Sequence, residues 1–457
     1  MTRTATSPSR KGTGRIEALA QRLAGLSPFS TEGEIGAAQG LALEVEGLER
    51  VLAVGDRCEA RLRDGGRLLC ETVGFRNGRT LVMPFGSSEG ITLGTRVHLV
   101  PGSNVILPHE SWRGRVLNAL AQPLDKGPLL QGEEARATRG QPPAAYCRKT
   151  VGTKLATSVR ALDIFVPLNR GQRLGVFAGS GVGKSSLLSM IARASDADIN
   201  VIALVGERGR EVQEFIRRDL GEEGLARSVV VVSTSDEPPL LRRQAAWTAM
   251  TIAEYFRDQG LQVAFMMDSV TRFAMAQREI GLATGEPPTT RGYPPTAFAE
   301  LPRLLERAGP GQQGQGDITG IFSVLVDGDD HNEPIADAVR GILDGHVVLD
   351  RKIADRGRFP AINILGSISR MLPDCHTEAE LKLYRVAKEM LAAYEEMADM
   401  IRIGAYERGS DPRVDAAIGV YRPVEAFLSQ PKGEKEAPAA AFRRLEEILQ
   451  QVPGLLV

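Results

Sequence analysis

The sequence predicts an α/β protein in which a parallel sheet with crossover helices stands between a small β-domain and a helical domain. Three changes of pattern along its 457 residues carry this prediction. Short apolar stretches alternate with turns from Leu41 to Val100, buried apolar runs alternate with helical periods from about Val151, and the pattern is almost wholly helical from about Leu381. The predicted segments are a tail at 1–25, the β-domain at 26–97, the α/β domain at 98–372 and the helical domain at 373–457.

The β-domain is predicted from turns that come at short intervals. Gly55-Asp56, Asp64-Gly65-Gly66 and Asn77-Gly78 separate apolar stretches of strand length. Many short strands bounded by such turns are typical of a small β-barrel or sandwich, and of the two we predict the barrel. A stretch rich in Pro, Gly and charge at 122–143 indicates a long connection to the next domain.

The α/β domain is predicted from apolar runs that are each followed by a helical period. Such runs are buried on both faces, as in a parallel sheet that is covered by its crossover helices. The predicted strands are Arg173–Ala178, Asn200–Val205, Ser228–Val232, Val263–Met267 and Ile321–Val326.

The composition excludes several classes of protein. The chain is 42% hydrophobic with a net charge of -1, whereas disordered chains have fewer apolar residues and a larger charge. Near-neutral charge argues against binding nucleic acid through bulk electrostatics, and no apolar run reaches the ~20 residues of a membrane-spanning helix. The four cysteines form no Cys-x-x-Cys pair, which fits a reducing cytosol better than a disulfide framework or a zinc site.

The first 25 residues allow three interpretations. They are basic, rich in Ser and Thr, and lack the apolar core of a secretory signal. A mitochondrial transit peptide and a flexible basic tail are two of the interpretations. The third, which we favour, is a short amphipathic helix that docks a partner, because Ile16, Leu19, Ala20 and Leu23 fall on one helical face.

One Gly-rich motif stands between the strand that ends at Ala178 and a predicted helix, Leu187–Ala194. Its glycines let backbone N–H groups converge on phosphate oxygens, and the helix N-terminus adds partial positive charge. Lys184 would neutralise the β- and γ-phosphates of a nucleotide, and the Ser185 hydroxyl would ligate Mg²⁺. Alanine replaces the usual glycine at the first position, where a small residue suffices. The predicted nucleotide-binding residues of this loop are Ala178, Gly179, Ser180, Gly181, Val182, Gly183, Lys184, Ser185 and Ser186.

Two carboxylates follow other predicted strands. Asp268 ends an apolar strand, and because a buried unpaired carboxylate is costly, we predict that it holds Mg²⁺ through a water. Glu207 and Arg208 follow the strand Asn200–Val205, whose carboxyl end shares a sheet edge with the phosphate loop. Glu207 would orient or deprotonate the attacking water and Arg208 would offset charge on the γ-phosphate. The alternative is that both belong to a solvated charge run.

At these residues the sequence resembles the catalytic subunits of the rotary ATP synthase family, over about 41–430. The resemblance is carried by Gly206-Glu207-Arg208, Asp236-Glu237-Pro238-Pro239, Ala253–Gly260, Pro360-Ala361-Ile362-Asn363 and Ser367-Ile368-Ser369. It implies a RecA-like P-loop ATPase core that uses ATP and Mg²⁺. It also implies that Arg370 reaches the γ-phosphate of a neighbouring subunit and that Phe359 stacks on adenine, although Phe359 could instead be a core residue. The predicted catalytic residues are Lys184, Glu207, Arg208 and Arg370.

Further motifs resemble one branch of this family, the ATPases of bacterial type III protein export. They are Met267–Gly281, Gly285-Glu286-Pro287-Pro288 and Arg291–Pro295, while Val326–Pro334 favours the flagellar over the injectisome member. The resemblance implies a cytoplasmic, ATP-hydrolysing homohexamer, peripheral to the membrane at the inner-membrane export apparatus, that helps to unload export substrates. The implied partners are a stator-like regulatory protein at the N-terminal helix, a central stalk protein in the pore, the export gate and chaperone–substrate complexes, with no nucleic acid.

Four alternatives stand beside this function. One is an ATPase of an injectisome. A catalytic subunit of a true ATP synthase would alternate with a second chain, whereas the presence of both Glu207 and Arg370 lets one sequence form every site. A hexameric RNA translocase would need an N-terminal platform of exposed aromatic residues, for which Phe75, Phe85 and Trp112 are the few candidates. A scaffold would bind ATP for assembly without hydrolysing it.

Overall fold

The computed structural model of the chain describes residues 31–102, 104–125, 127–326 and 333–456. By their contacts these residues divide into two units, the first within Met1–Pro84 and Ser88–Ser103 and the second within Phe85–Ser87 and Asn104–Val457. The predicted docking helix at 1–25 lies outside the described residues, as does most of the motif that favours the flagellar branch.

The strands of the described residues are β1 (Glu32–Gln39), β2 (Ala42–Glu46), β3 (Arg57–Arg61), β4 (Arg67–Arg76), β5 (Arg79–Pro84), β6 (Arg96–Leu99), β7 (Val105–Ile106), β8 (Val116–Asn118), β9 (Arg136–Ala137), β10 (Lys154–Leu155), β11 (Leu168–Asn169), β12 (Arg173–Ala178), β13 (Ile199–Glu207), β14 (Ser228–Thr234), β15 (Val263–Asp268), β16 (Gly309–Pro310), β17 (Asp317–Leu325), β18 (Gly345–Leu349) and β19 (Ile362–Ser369).

The α-helices of the same residues are α1 (Arg160–Phe165), α2 (Lys184–Ala194), α3 (Gly209–Glu214), α4 (Gly221–Ala226), α5 (Pro239–Asp258), α6 (Val270–Thr284), α7 (Pro295–Leu305), α8 (Pro334–Ile342), α9 (Arg351–Asp355), α10 (Glu378–Arg402), α11 (Pro412–Leu428) and α12 (Pro438–Gln450). A π-helical turn at Phe215–Leu220 joins α3 to α4, and short 3₁₀ turns occur at Glu110–Trp112, Ala145–Cys147 and Thr290–Gly292.

The first unit is a closed antiparallel barrel with the strand order β1-β2-β5-β4-β3-β6 among the residues described. Side chains that alternate along the strands, such as Leu43 and Val45 of β2, fill its core. Closure removes the unpaired edges that a sandwich of short strands would expose. The barrel prediction is therefore confirmed. Its last strand runs to Leu99, so the predicted boundary at residue 97 falls within β6.

The second unit is built on a sheet with the strand order β19-β18-β12-β17-β15-β13-β14-β8 over the described residues, and β16 pairs with β17. All pairs from β18 to β8 are parallel, whereas the edge strand β19 is antiparallel. The five predicted strands are present as β12, β13, β14, β15 and β17. The parallel α/β prediction is confirmed, and the phosphate-loop strand β12 lies in the interior of the sheet.

The C-terminal helices α10, α11 and α12 share a hydrophobic core with the α/β part. Leu383, Val420 and Leu445 from these helices belong to the same buried cluster as Leu162 of α1 and Ile191 of α2. The predicted helical domain therefore packs within the second unit. No helix in the described ranges is long and apolar enough to span a bilayer.

Candidate functional site

The phosphate loop lies at the carboxyl edge of the sheet, as the strand–loop–helix pattern predicts. β12 ends at Ala178 and α2 begins at Lys184. Gly181 and Gly183 have φ angles of 79° and 98°, which residues with a Cβ rarely adopt. The loop can therefore curl so that backbone N–H groups and the positive end of α2 face one point, an arrangement suited to phosphate.

Lys184 lies between two carboxylates. Its Nζ is 2.5 Å from Asp268 Oδ1 and 3.8 Å from Glu207 Oε1, and its side chain is largely buried. Asp268 ends β15 and Glu207 ends β13, and these two strands are parallel neighbours. The structure therefore brings together three side chains that the sequence predicts from separate strand ends.

The electrostatic surroundings of Glu207 are unusual for a carboxyl group. The pKa of Glu207 is raised to about 7, because burial and the charge on Asp268 favour the neutral carboxyl group and Lys184 opposes them only in part. Its Oε1 accepts no hydrogen bond from any residue that the structure describes. A carboxylate whose pKa is near neutrality, with a free acceptor atom, is suited to orient water and take up a proton.

A cleft of about 440 Å³ opens beside the phosphate loop. Ser185 lines it one residue into α2. Arg208 also lines it, but the Arg208 side chain is 78% exposed and pairs with Glu211 at 3.3 Å. The structure thus places Ser185 inside the cleft and Arg208 at its solvent rim.

The cleft contains a residue that the sequence did not single out. Arg272, on the first turn of α6, lines it, and its buried Nε finds no hydrogen-bond partner among the residues described. Gly206 makes room for this side chain: it has a φ of 71°, and a Cβ there would lie 2.9 Å from Arg272 Cβ. The sequence could have indicated this residue, because the helix that follows the Asp268 strand begins at the carboxyl ends of the strands, where the phosphate loop also lies.

The donors present fit Mg²⁺. In the described part of the chain, no three or more His, Cys, Asp or Glu side chains cluster to hold a metal ion. Mg²⁺ seldom uses such an all-protein cage and is usually held by one or two protein oxygens, phosphates and waters. The Ser185 hydroxyl could supply such an oxygen directly, and the Asp268 carboxylate could supply one through a water.

Arg370 lies at the amino ends of the parallel strands, opposite the carboxyl ends where the phosphate loop lies. Leu349, at the carboxyl end of β18, pairs with Ala178, where the phosphate loop begins. Arg370 is exposed, and its N–H donates to Asp344 O, just before the amino end of β18. The five steps from residue 344 to 349 correspond to about 16 Å of strand, which is longer than an arginine side chain. Arg370 therefore does not reach the phosphate loop of its own chain.

Phe359 lies beside the phosphate loop and remains 45% exposed. Its Cδ1 is 3.5 Å from the position that a Cβ on Gly183 would take. Gln430 N–H donates to the Phe359 carbonyl at 2.8 Å, which ties this backbone to the segment after α11. An aromatic ring with this much open surface next to the loop is available to stack on a nucleotide base and is not a core residue.

Comparison with known families agrees with the fold. Residues 158–369 match the ATP synthase alpha/beta family, nucleotide-binding domain, and residues 35–99 match the beta-barrel domain of the same family. Residues 376–447 match the T3SS EscN ATPase C-terminal domain.

Relatives that match most of the chain agree with these family matches. The chain is 53% identical to the flagellum-specific ATP synthase of Caulobacter vibrioides over 93% of this chain and 97% of the relative. It is 50% identical to that of Bacillus subtilis (88% and 91%) and 45% identical to the type 3 secretion system ATPase of Xanthomonas euvesicatoria (95% and 97%).

Two solved structures of EscN, from the type III secretion system of enteropathogenic E. coli, have the same fold. The assembled ATPase EscN has a TM-score of 0.85 at 38% identity, covering 91% of this chain and all of that one. Assembled EscN in complex with its central stalk EscO has a TM-score of 0.82 at 37% identity, with the same coverage. The chain therefore belongs to the ATP synthase alpha/beta family, in the branch of the flagellum-specific ATP synthases and type III secretion ATPases, and is an ATP-hydrolysing enzyme.

Proposed function

We propose that this chain is the ATPase of bacterial flagellar protein export and works as a homohexameric ring that helps to unload and deliver export substrates. One observation carries the proposal for a ring: Arg370 and the phosphate loop lie at opposite edges of one sheet, about 16 Å of strand apart. A second copy that packs its Arg370 edge against the loop edge of the first completes the site. Because the two edges differ, such contacts are heterologous, and heterologous contacts form a ring when the rotation between neighbouring subunits closes.

Residues in and beside the cleft then have the following roles in hydrolysis. Lys184, the loop N–H groups and Arg272 bind the phosphates, and Phe359 stacks on adenine. Ser185 and Asp268, the latter through a water, hold Mg²⁺, which neutralises phosphate charge when bound. Glu207 orients the attacking water and takes up its proton.

Two arginines complete the proposed charge balance. Arg208 at the rim offsets charge on the γ-phosphate of its own site. Arg370 of the next subunit stabilises the charge that develops in the transition state, an effect worth ~10³–10⁵ in rate in well-studied enzymes.

The flagellar assignment is supported by the relatives. Identity to the flagellum-specific ATP synthase of Caulobacter vibrioides is 53%, against 45% to the type 3 secretion system ATPase of Xanthomonas euvesicatoria. The same comparisons favour an export ATPase over a subunit of a true ATP synthase and over an RNA translocase, because the C-terminal match is to an export ATPase domain.

The proposed partners follow from the branch. A central stalk protein would occupy the pore, as EscO is the central stalk of EscN. A stator-like protein at residues 1–25, the export gate and chaperone–substrate complexes complete the set. The ring would be cytoplasmic and peripheral at the inner-membrane export apparatus.

The proposal is tested by affinity purification from a lysate of the bacterium that encodes the chain. The intact chain should recover flagellar export components, whereas a chain without residues 1–25 should lose the stator-like partner and keep the stalk protein. The truncated chain is the matched control, because its ATP site is unchanged and its ATP turnover at high protein concentration should remain. Recovery of injectisome or ATP synthase components instead would overturn the flagellar assignment.

A further inference from the structure

The Ser323 hydroxyl interrupts the apolar carboxyl half of β17, the strand that separates the phosphate loop from Asp268. β17 lies between β12, which leads into the loop, and β15, which ends in Asp268. Phe322 of β17 pairs with Met267 of β15, so Ser323 and Asp268 are the next residues along each strand. The residues around Ser323 in this strand are Ile321, Phe322, Val324 and Leu325, all apolar.

Ser323 binds the carboxylate directly. Its Oγ donates a hydrogen bond of 2.8 Å to Asp268 Oδ1, and the two residues are 0% and 3% exposed. A buried hydroxyl is costly unless it is hydrogen-bonded, and a bond to a charged oxygen is stronger than one between neutral groups. The position of Ser323 on a rigid interior strand fixes the direction from which Asp268 is held.

Asp268 Oδ1 has a second partner, Lys184, which the proposed function also assigns to the phosphates. Lys184 Nζ is 2.5 Å from Asp268 Oδ1. If Lys184 turns to the phosphates when ATP binds, as the proposed function requires, Asp268 loses a strong donor. Ser323 does not move with the nucleotide, because it belongs to the sheet.

From this arrangement we propose that Ser323 is a positioning residue for magnesium binding. The inference rests on the proposed function. The Ser323 hydroxyl holds the Asp268 carboxylate in one orientation while Lys184 transfers to the phosphates, so that the carboxylate can accept a hydrogen bond from a magnesium-bound water. Ser323 itself touches neither nucleotide nor metal in this proposal.

The experiment compares Ser323→Thr with Ser323→Val, since threonine and valine have nearly the same shape and differ in the hydroxyl. Equilibrium binding of a fluorescent ADP analogue to the full chain is measured with Mg²⁺ and with EDTA. Ser323→Val should weaken binding in Mg²⁺ roughly 10-fold, as expected for a lost hydrogen bond to a charged group, and should change binding in EDTA less than about 2-fold. Ser323→Thr should bind like the wild type under both conditions.

Ser228→Ala is the matched control, because Ser228 is also fully buried on a strand of this sheet and donates to Gly224 O at 2.6 Å. It should leave the magnesium dependence unchanged. Equal weakening of Ser323→Val with and without Mg²⁺, or the same loss in Ser323→Thr or Ser228→Ala, would show a structural role and overturn the inference. Lys184→Ala distinguishes failure of this inference from failure of the proposed function. If Lys184→Ala still binds the analogue like the wild type, the proposed nucleotide site itself is wrong.

Discussion

Asp163 shows how a single buried carboxyl group makes folding depend on pH. It lies in α1, where its Oδ1 accepts hydrogen bonds from Thr157 N–H and Oγ1 at 2.9 and 2.8 Å. Its Oδ2 has no partner in the part of the chain described. Burial raises the pKa of Asp163 to about 6, and the bonds from Thr157 and the charge on Lys154 oppose this rise.

The sign of the effect follows from linkage. An exposed aspartate has a pKa of about 3.9, so between about pH 4 and 6 the folded state binds the Asp163 proton more tightly than the unfolded state. Stability from this group is therefore lost as pH rises through that window and stays lost above it. Asparagine keeps the acceptor oxygen and carries no charge. The difference in unfolding free energy between Asp163→Asn and the wild type should therefore shift in favour of the variant by about 2 kcal/mol from pH 4 to pH 7.

Urea unfolding followed by tryptophan fluorescence measures this difference, since Trp112 and Trp247 both lie in the second unit. Asp399→Asn is the control, because Asp399 is almost fully exposed. Its stability difference from wild type should stay within about 0.5 kcal/mol from pH 4 to pH 7. A difference for Asp163→Asn that does not change with pH would contradict the prediction.

The cleft shows which residues can be predicted from a sequence. Lys184, Glu207 and Asp268 were predictable because each ends a strand or loop at the edge where parallel strands present their carboxyl ends. Arg272 was missed because it lies within the first turn of a helix, where the sequence pattern does not distinguish it from an ordinary surface arginine. Ser323 gave no signal at all, since one serine in an apolar strand carries no information about the side chain opposite it.

At the scale of elements, Arg160 joins the helical part to the α/β part. It is almost fully buried at the start of α1, and its Nη1 donates to Phe427 O and Ser429 O at 2.9 and 3.2 Å. Its guanidinium also pairs with Glu434 and Glu436 in the segment between α11 and α12. The Arg160 side chain therefore donates to carbonyls at the end of α11 and pairs with two carboxylates that follow it.

Arg160→Met should destabilise the second unit by about 3–5 kcal/mol, because it leaves two carboxylates and two carbonyls without their buried donor. The free energy of urea unfolding by tryptophan fluorescence is the measurement. Arg444→Met is the control: Arg444 pairs with Glu436 at 2.8 Å but is 46% exposed, and its loss should cost less than about 1 kcal/mol. Equal losses of unfolding free energy in the two variants would contradict a stabilising role for the buried Arg160 contacts.

Among the elements, five interior strands were predictable, whereas the interior strand β18 and the two edge strands were not. β18 has only five residues, and alternate ones are partly exposed, so it shows no long buried run. Long apolar runs reveal β12, β13, β14, β15 and β17, since both of their faces are buried. β8 has three residues and β19 is half exposed, so neither shows that pattern. The C-terminal helices were predicted from periodicity, which indicates that a helix has an apolar face but not what the face packs against. Their shared core with α1 and α2 was therefore not foreseeable.

At the scale of the molecule, the proposed function divides each ATP site between two chains, so that one chain would carry two half-sites. The loop edge holds Lys184, Glu207 and Asp268, and the opposite edge holds Arg370. Turnover should then require contact between chains, because the transition-state arginine comes from a neighbour. A defect at one edge should be complemented by a defect at the other, whereas two defects at the same edge should not complement each other.

Mixing variants tests this requirement. Lys184→Ala and Arg370→Ala should each reduce ATP turnover by at least ~10³-fold, from loss of phosphate binding and of the transition-state charge partner. In equal mixtures, an interface is intact when its loop comes from the Arg370→Ala chain and its arginine from the Lys184→Ala chain. Random assembly gives about a quarter of such interfaces, so the mixture should recover up to about a quarter of wild-type turnover.

The matched control mixes Lys184→Ala with Glu207→Gln, which should also be inactive alone because it lacks the group that takes up the proton. Both substitutions lie at the loop edge, so no interface in this mixture is intact and turnover should stay at the level of the single variants. Copurification through a tag on one variant verifies that mixed assemblies form. Mixed assemblies of Lys184→Ala and Arg370→Ala that stay inactive would refute the shared site. Equal recovery in the control mixture would show that chains exchange something other than Arg370.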